Sequence, residues 1–90
     1  MSFRDLERKV KGFSNHRRIE ILALLQKAPE LSVDEISRTL KINIKTGSEH
    51  IRRLAIAGLV MKRNEGHMVR HKLTSRAKQV LKFLRILEQI

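Results

Sequence analysis

The stretch from Ser32 to Leu73 constrains this chain more than any other. Ser32-Val-Asp-Glu35 has the form of a capping box, in which the Ser hydroxyl accepts from the backbone near Glu35 and the Glu carboxylate reaches back. The helix it starts would bury Val33, Ile36 and Leu40. Lys41-Ile42-Asn43 follows as a turn, and Asn43 is a good cap for a second helix that runs to about Ala57 and stops at Gly58. Two strand-like runs come next, Leu59–Arg63 and His67–Leu73, joined by Asn64-Glu65-Gly66. Val69, His71 and Leu73 alternate with Met68, Arg70 and Lys72, so one face should look inward and one outward, with Met61 packed under the hairpin. Two short helices meeting at a tight turn, with a basic hairpin behind them, are the pattern of a winged helix-turn-helix.

The flanks complete that fold. Phe3, Leu6, Val10 and Phe13 recur at helical spacing, with Ser2 as cap. Asn15 or Ser14 caps a helix carrying Ile19, Ile21, Leu22, Ala23, Leu24 and Leu25, which ends before Pro29. Thr74 caps a last helix with Ala77, Val80, Leu81, Leu84 and Leu87 in one stripe, widened by Phe83 and Ile86. The expected class is mainly α with a small β-hairpin, about five helices and a two-stranded wing, in a single domain over residues 1–90. Both terminal helices, about 2–12 and 75–89, carry more apolar surface than so short a chain can bury alone. Phe3, Leu6, Val10, Val80, Leu84 and Leu87 are therefore expected to pair with a second copy in a homodimer.

Charge points to the partner. Between Lys41 and Lys72 there are eight Lys/Arg against two carboxylates, Glu49 and Glu65, which is +6 of the chain's net +11. Folding supplies no reason to gather positive charge on one helix and one hairpin, whereas a polyanion does. With only three Phe and no Trp or Tyr, stacking of single-stranded bases has little support. There is no cysteine, hence no disulfide, thiolate metal site or cysteine nucleophile. The first residues lack a signal-type apolar core and no apolar run approaches a membrane span, so a soluble, cytoplasmic protein without a membrane partner is expected. No phosphate loop, carboxylate pair or Ser/His/acid set suggests an enzyme, and no catalytic residue, metal or cofactor is assigned. His67 and His71 have zinc-finger spacing, but on a strand they lie about 13 Å apart, too far for one ion.

Within the second helix of the pair, Gly47, Ile51, Leu54 and Gly58 fall on the core side, with His50 at the border. Lys45, Thr46, Glu49, Arg52 and Arg53 fall largely opposite. Arg53 has the geometry to bind guanine O6/N7 and Glu49 to accept from cytosine N4. Lys45 and Thr46 sit in the first turn, where backbone N–H groups favour phosphate. Lys62, Arg63, His67 and Arg70 are assigned to phosphate or the groove beside the wing, Arg63 and His67 at its tip and Arg70 on its exposed face. The plainer alternative is a solvated charged face, with Glu49 and Arg53 an ordinary i,i+4 pair. Gly47 leaves two readings open: close backbone approach, or a helix only partly ordered until DNA binds. Lys41 would be strained if the turn is left-handed.

These segments resemble the ArsR-type winged-helix repressors. The likeness runs through FSNHRRIEILALL (Phe13–Leu25), the Ser48-x-His50-Ile51-x-x-Leu54 core, the exit Ala57-Gly58-Leu59-Val60 and the wing Arg63–Leu73. It implies a homodimeric repressor on a palindromic operator, adds Ser48 and His50 to the DNA-facing set, and pairs the terminal helices across a two-fold axis. It also makes His71 an inward core residue. Where metal-sensing members carry a Cys-x-Cys pair this chain has Ser32 and Asp34, and its last helix has no His. A repressor not using the cysteine site is the expectation, with its effector unknown. A non-specific architectural DNA-binding protein and a winged-helix module for protein or RNA are the competing assignments.

Overall fold

The structure, a computed structural model, describes residues 1–90. In chain order it contains α1 (Phe3–Phe13), α2 (His16–Lys27), α3 (Val33–Leu40), α4 (Ile44–Ile56), β1 (Val60–Glu65), β2 (Met68–Leu73) and α5 (Ser75–Glu88). Each helix starts where a short polar side chain satisfies free backbone donors. Ser2 accepts from Asp5 N, Asn15 from Arg17 N and Arg18 N, Asn43 from Lys45 N, and Thr74 from Ala77 N. The capping box at α3 is complete, with Glu35 Oε1 accepting from Ser32 N at 2.9 Å.

The core gathers around α2. Ile21, Leu22 and Leu25 meet Ile36 of α3, Ile51 and Leu54 of α4, Leu59, Val60 and Leu73 at the base of the hairpin, and Ala77 and Leu81 of α5. Buried residues of α2 to α5 thus close a single small core, with Phe13 of α1 packed against its edge. No helix is long and apolar enough to cross a membrane.

The turn between α3 and α4 depends on Lys41, which adopts the left-handed conformation (φ 57°, ψ 46°). Its N–H donates to Arg38 O and Ser37 O, and Ile42 N donates to Ser37 O at 3.0 Å, so the Ser37 and Arg38 carbonyls in the last turn of α3 are satisfied. A side chain in this conformation costs roughly 1–2 kcal/mol. The reversal brings α4 so close to α3 that a Cβ on buried Gly47 would overlap Ser37 Oγ. Close approach is therefore what Gly47 permits.

The hairpin differs from the sequence expectation. Val60 to Glu65 pair antiparallel with Leu73 to Met68, so Asn64 and Glu65 belong to β1, and only Gly66 and His67 form the turn. Gly66 takes φ 61°, as the first position of a two-residue hairpin requires. His67 therefore sits in the turn rather than in β2. Arg63 lies mid-strand opposite Arg70, not at the tip. Alternation of buried and exposed residues holds only at the base. His71 and Leu73 are buried, but Val69 is 39% exposed and Met61 is 48% exposed rather than tucked under the wing. The ribbon extends past the helices, leaving nothing for its outer half to pack on. An unforeseen third segment joins its edge: Glu30 N donates to His71 O and His71 N to Leu31 O, each at 2.9 Å.

Candidate nucleic-acid interface

Helix α4 divides as its spacing implies. Gly47, Ile51 and Leu54 are buried, while Lys45, Thr46, Ser48, Glu49, Arg52 and Arg53 are exposed and His50 is half-buried. The Asn43 side chain takes Lys45 N at 2.8 Å, leaving the rest of the first turn open to solvent. The chain's ion pairs leave Lys45 and Lys62 without a carboxylate.

The arginines are differently placed. Arg52 donates to both oxygens of Glu49, at 3.0 and 2.8 Å, and Arg53 Nε donates to the same carboxylate at 3.2 Å. This clasp holds the Glu49 carboxyl down at about 2, chiefly through the Arg52 hydrogen bonds. Glu49 is thus occupied by its neighbours, and the two guanidinium groups are oriented by a residue of their own helix.

On the wing, Arg63 Nε donates to Glu30 Oε1 and its Nη2 to Glu65 Oε2, both at 2.8 Å. Arg70 is half-buried rather than exposed; it donates to Glu30 O at 3.0 Å and lies 3.4 Å from Glu65. Both arginines therefore tie the hairpin to the α2–α3 connection. Lys62 points to the opposite face of β1, and His67 stands in the exposed turn. The assigned cations thus split into free ones, Lys45 and Lys62, and engaged ones, Arg52, Arg53, Arg63 and Arg70.

His50 is held below the ordinary histidine range by partial burial and then by the charge of Arg18, with Glu49 opposing. This favours the neutral ring, which offers one donor and one acceptor. Buried His71 uses Nδ1 to donate to Leu31 O at 2.9 Å, and burial holds its pKa low; it is a core residue. Ile44, an apolar residue off the core stripe, is 49% exposed in the first turn of α4 beside Lys45.

The sequence pattern of the bacterial regulatory protein, arsR family, matches residues 15–62, which span α2, α3, α4 and the start of β1. The chain belongs to this family. Among solved structures, HlyU from Vibrio cholerae is 31% identical with a TM-score of 0.81, over 97% of this chain and 97% of that one. The transcriptional regulator HlyU from Vibrio vulnificus is 32% identical with a TM-score of 0.76, over 91% and 85%. The homodimeric winged helix-turn-helix DNA-binding domain Mb0332 from Mycobacterium bovis is 26% identical with a TM-score of 0.85, over 94% and 79%. No curated protein matches the chain. In this arsR-family member α3 and α4 form the helix-turn-helix and β1–β2 the wing, and the chain is a winged-helix transcriptional regulator.

Proposed function

We propose that the chain is a dimeric, sequence-specific double-stranded-DNA-binding repressor that places α4 in the major groove. The observation that carries this reading is the two-sidedness of α4. Its inner side closes on Ser37 and the core, while Lys45, Thr46 and Ser48 project to solvent without an ion pair or side-chain hydrogen bond. Under this reading Lys45 and Lys62 anchor phosphates on either side of the groove. Arg53, Glu49 and His50 meet base edges. Arg52, Arg63, His67 and Arg70 support the backbone contacts, the engaged arginines by exchanging a carboxylate for a phosphate.

Dimerisation runs through the terminal helices. Phe3 is 80% exposed, Leu6 47%, Val10 44% and Leu87 53%, and Phe83 and Ile86 extend the apolar surface. A stripe this open on both terminal helices is accounted for by a second copy. Val80 and Leu84 are half-buried, with Val80 already against the core, so they sit at the inner margin of that surface. The mycobacterial domain is described as homodimeric, which supports pairing of two copies. Regulation does not use a Cys-x-Cys pair: Ser32, at that place, is spent as the N-cap of α3.

Chemical-shift mapping tests the surface. Titrating a duplex into isotope-labelled protein should move amides of α4 and the β1–β2 turn, leaving the exposed face of α5 unmoved. Shifts confined to the terminal helices would contradict the reading.

A further inference from the structure

A second basic feature lies away from the outer face of the wing. Helix α1 crosses the C-terminal end of α4 in close contact, because a Cβ at buried Gly12 would overlap Ala57 Cβ. The crossing leaves a cleft of about 470 Å³ between α1, the end of α4 and the start of α5. Arg8, Lys9, Lys11, Arg18, Arg53 and Arg76 line it, and Asp5 is its single carboxylate. That volume suits a small molecule, and its charge suits an anion.

Half of its cations are not neutralised: Lys9, Lys11 and Arg53 pair with Asp5, Glu7 and Glu49, whereas Arg8, Arg18 and Arg76 have no carboxylate partner. Arg18 Nη1 donates to Lys11 O and Gly12 O, both at 3.1 Å, and its buried Nε has no partner. Arg76 Nη1 donates to Ala57 O at 2.8 Å. Backbone carbonyls thus hold two guanidinium groups at the cleft, and neither has a carboxylate within ion-pair distance; nor does Arg8. Asp5 is taken by Lys9 at 2.8 Å. A group of like charges held in place by the fold is destabilising until an anion arrives, and prearranged donors bind it with little ordering loss. The cleft also stays accessible in a dimer of the kind proposed: Asp5, Arg8 and Gly12 recur on one side of α1, and Phe3, Leu6 and Val10 on another.

We propose that this cleft is a binding site for a small polyanion carrying two or more phosphate or carboxylate groups, and that its occupant competes with DNA for Arg53. The competition rests on the DNA-binding reading above; the site does not. Arg53 reaches the cleft from the same helix that carries the base-reading set, so an anion there draws its guanidinium away from the groove.

Calorimetric titration of inorganic pyrophosphate into the whole chain tests the site without DNA, at about 0.15 M salt to suppress diffuse attraction. Saturable binding of one pyrophosphate per chain is expected. Arg8→Gln, which removes a side chain with no structural partner, should weaken it by about tenfold or more, and Lys62→Gln on the wing should leave it unchanged. Absence of saturation, or equal weakening by Lys62→Gln, would overturn the site. A duplex titration with Arg8→Gln separates the sources of phosphate. An unchanged salt slope is expected; a slope reduced by about one, without pyrophosphate binding, would make the cleft a DNA-backbone contact and refute the proposal.

Discussion

Gly47 of α4 and Ser37 of α3 form a matched pair at the helix-turn-helix crossing. Ser37 is 3% exposed and its Oγ has no hydrogen-bond partner, and the space it fills is the space a Cβ at position 47 would need. The remaining neighbours of such a Cβ, Ile42 Cδ1 and Ser37 Cβ, stand at an ordinary 3.5 Å.

A double-mutant cycle follows from that pair. Ser37→Ala removes a buried, unsatisfied hydroxyl and should stabilise by about 1 kcal/mol. Gly47→Ala alone gains about 1 kcal/mol of helix propensity but overpacks the crossing, at a cost of about 1–3 kcal/mol. Together the two changes should stabilise by more than Ser37→Ala alone, with a favourable coupling in urea unfolding. A Gly47→Ala single variant more stable than the parent would refute the packing account.

Lys41 offers a second stability test. Its left-handed backbone (φ 57°) is strained for any residue with a Cβ. Lys41→Gly should raise thermal stability, by at most about 1 kcal/mol after the glycine's greater unfolded-state freedom is counted. Lys41→Val, β-branched in the same conformation, should lower it.

The histidines set an acid limit. His71 and His50 have folded pKa values lowered from 6.5, in both chiefly by burial. As pH falls below about 6.5 the unfolded chain takes up protons before the folded one, so stability declines. Above that pH their contribution is fully present. His71→Phe should flatten the decline, because Leu31 O keeps the His71 backbone N–H as donor and no buried acceptor is orphaned. Urea midpoints at pH 7 and about pH 5.5 check this; an unaltered decline in the variant would remove His71 from the account.

The Glu49 clasp makes a prediction about DNA. Glu49→Gln frees Arg52 and Arg53 and removes a negative charge from the groove-facing side. It should tighten binding to every duplex and steepen the salt dependence by about one phosphate equivalent, while narrowing discrimination between sequences. Arg53→Ala should cost about 1–3 kcal/mol of affinity and relax preference at one position. Uniform weakening across sequences would place Arg53 on the backbone instead.

Much of this was legible because local signals agreed. The caps at Ser2, Ser32, Asn43 and Thr74, the α4 division and the stop at Gly58 all follow from side chains acting within a few residues of themselves. What the sequence did not reveal depends on residues distant in the chain. Arg63 and Arg70 look free until Glu30, more than thirty residues away, folds beside them. The Leu31 bridge, the hairpin register and the cleft between α1 and α4 are likewise tertiary. Gly47 was readable as an anomaly, but only Ser37 across the turn explains it.

The most direct test of the central claim is a fluorescence-anisotropy titration against two duplexes across a salt series. One duplex is the DNA upstream of the protein's own gene, and the other is the same sequence scrambled. A DNA-reading α4 predicts tighter binding to the first by several hundredfold or more, with affinity falling steeply as salt rises. Failure to bind either duplex at low salt would contradict the account.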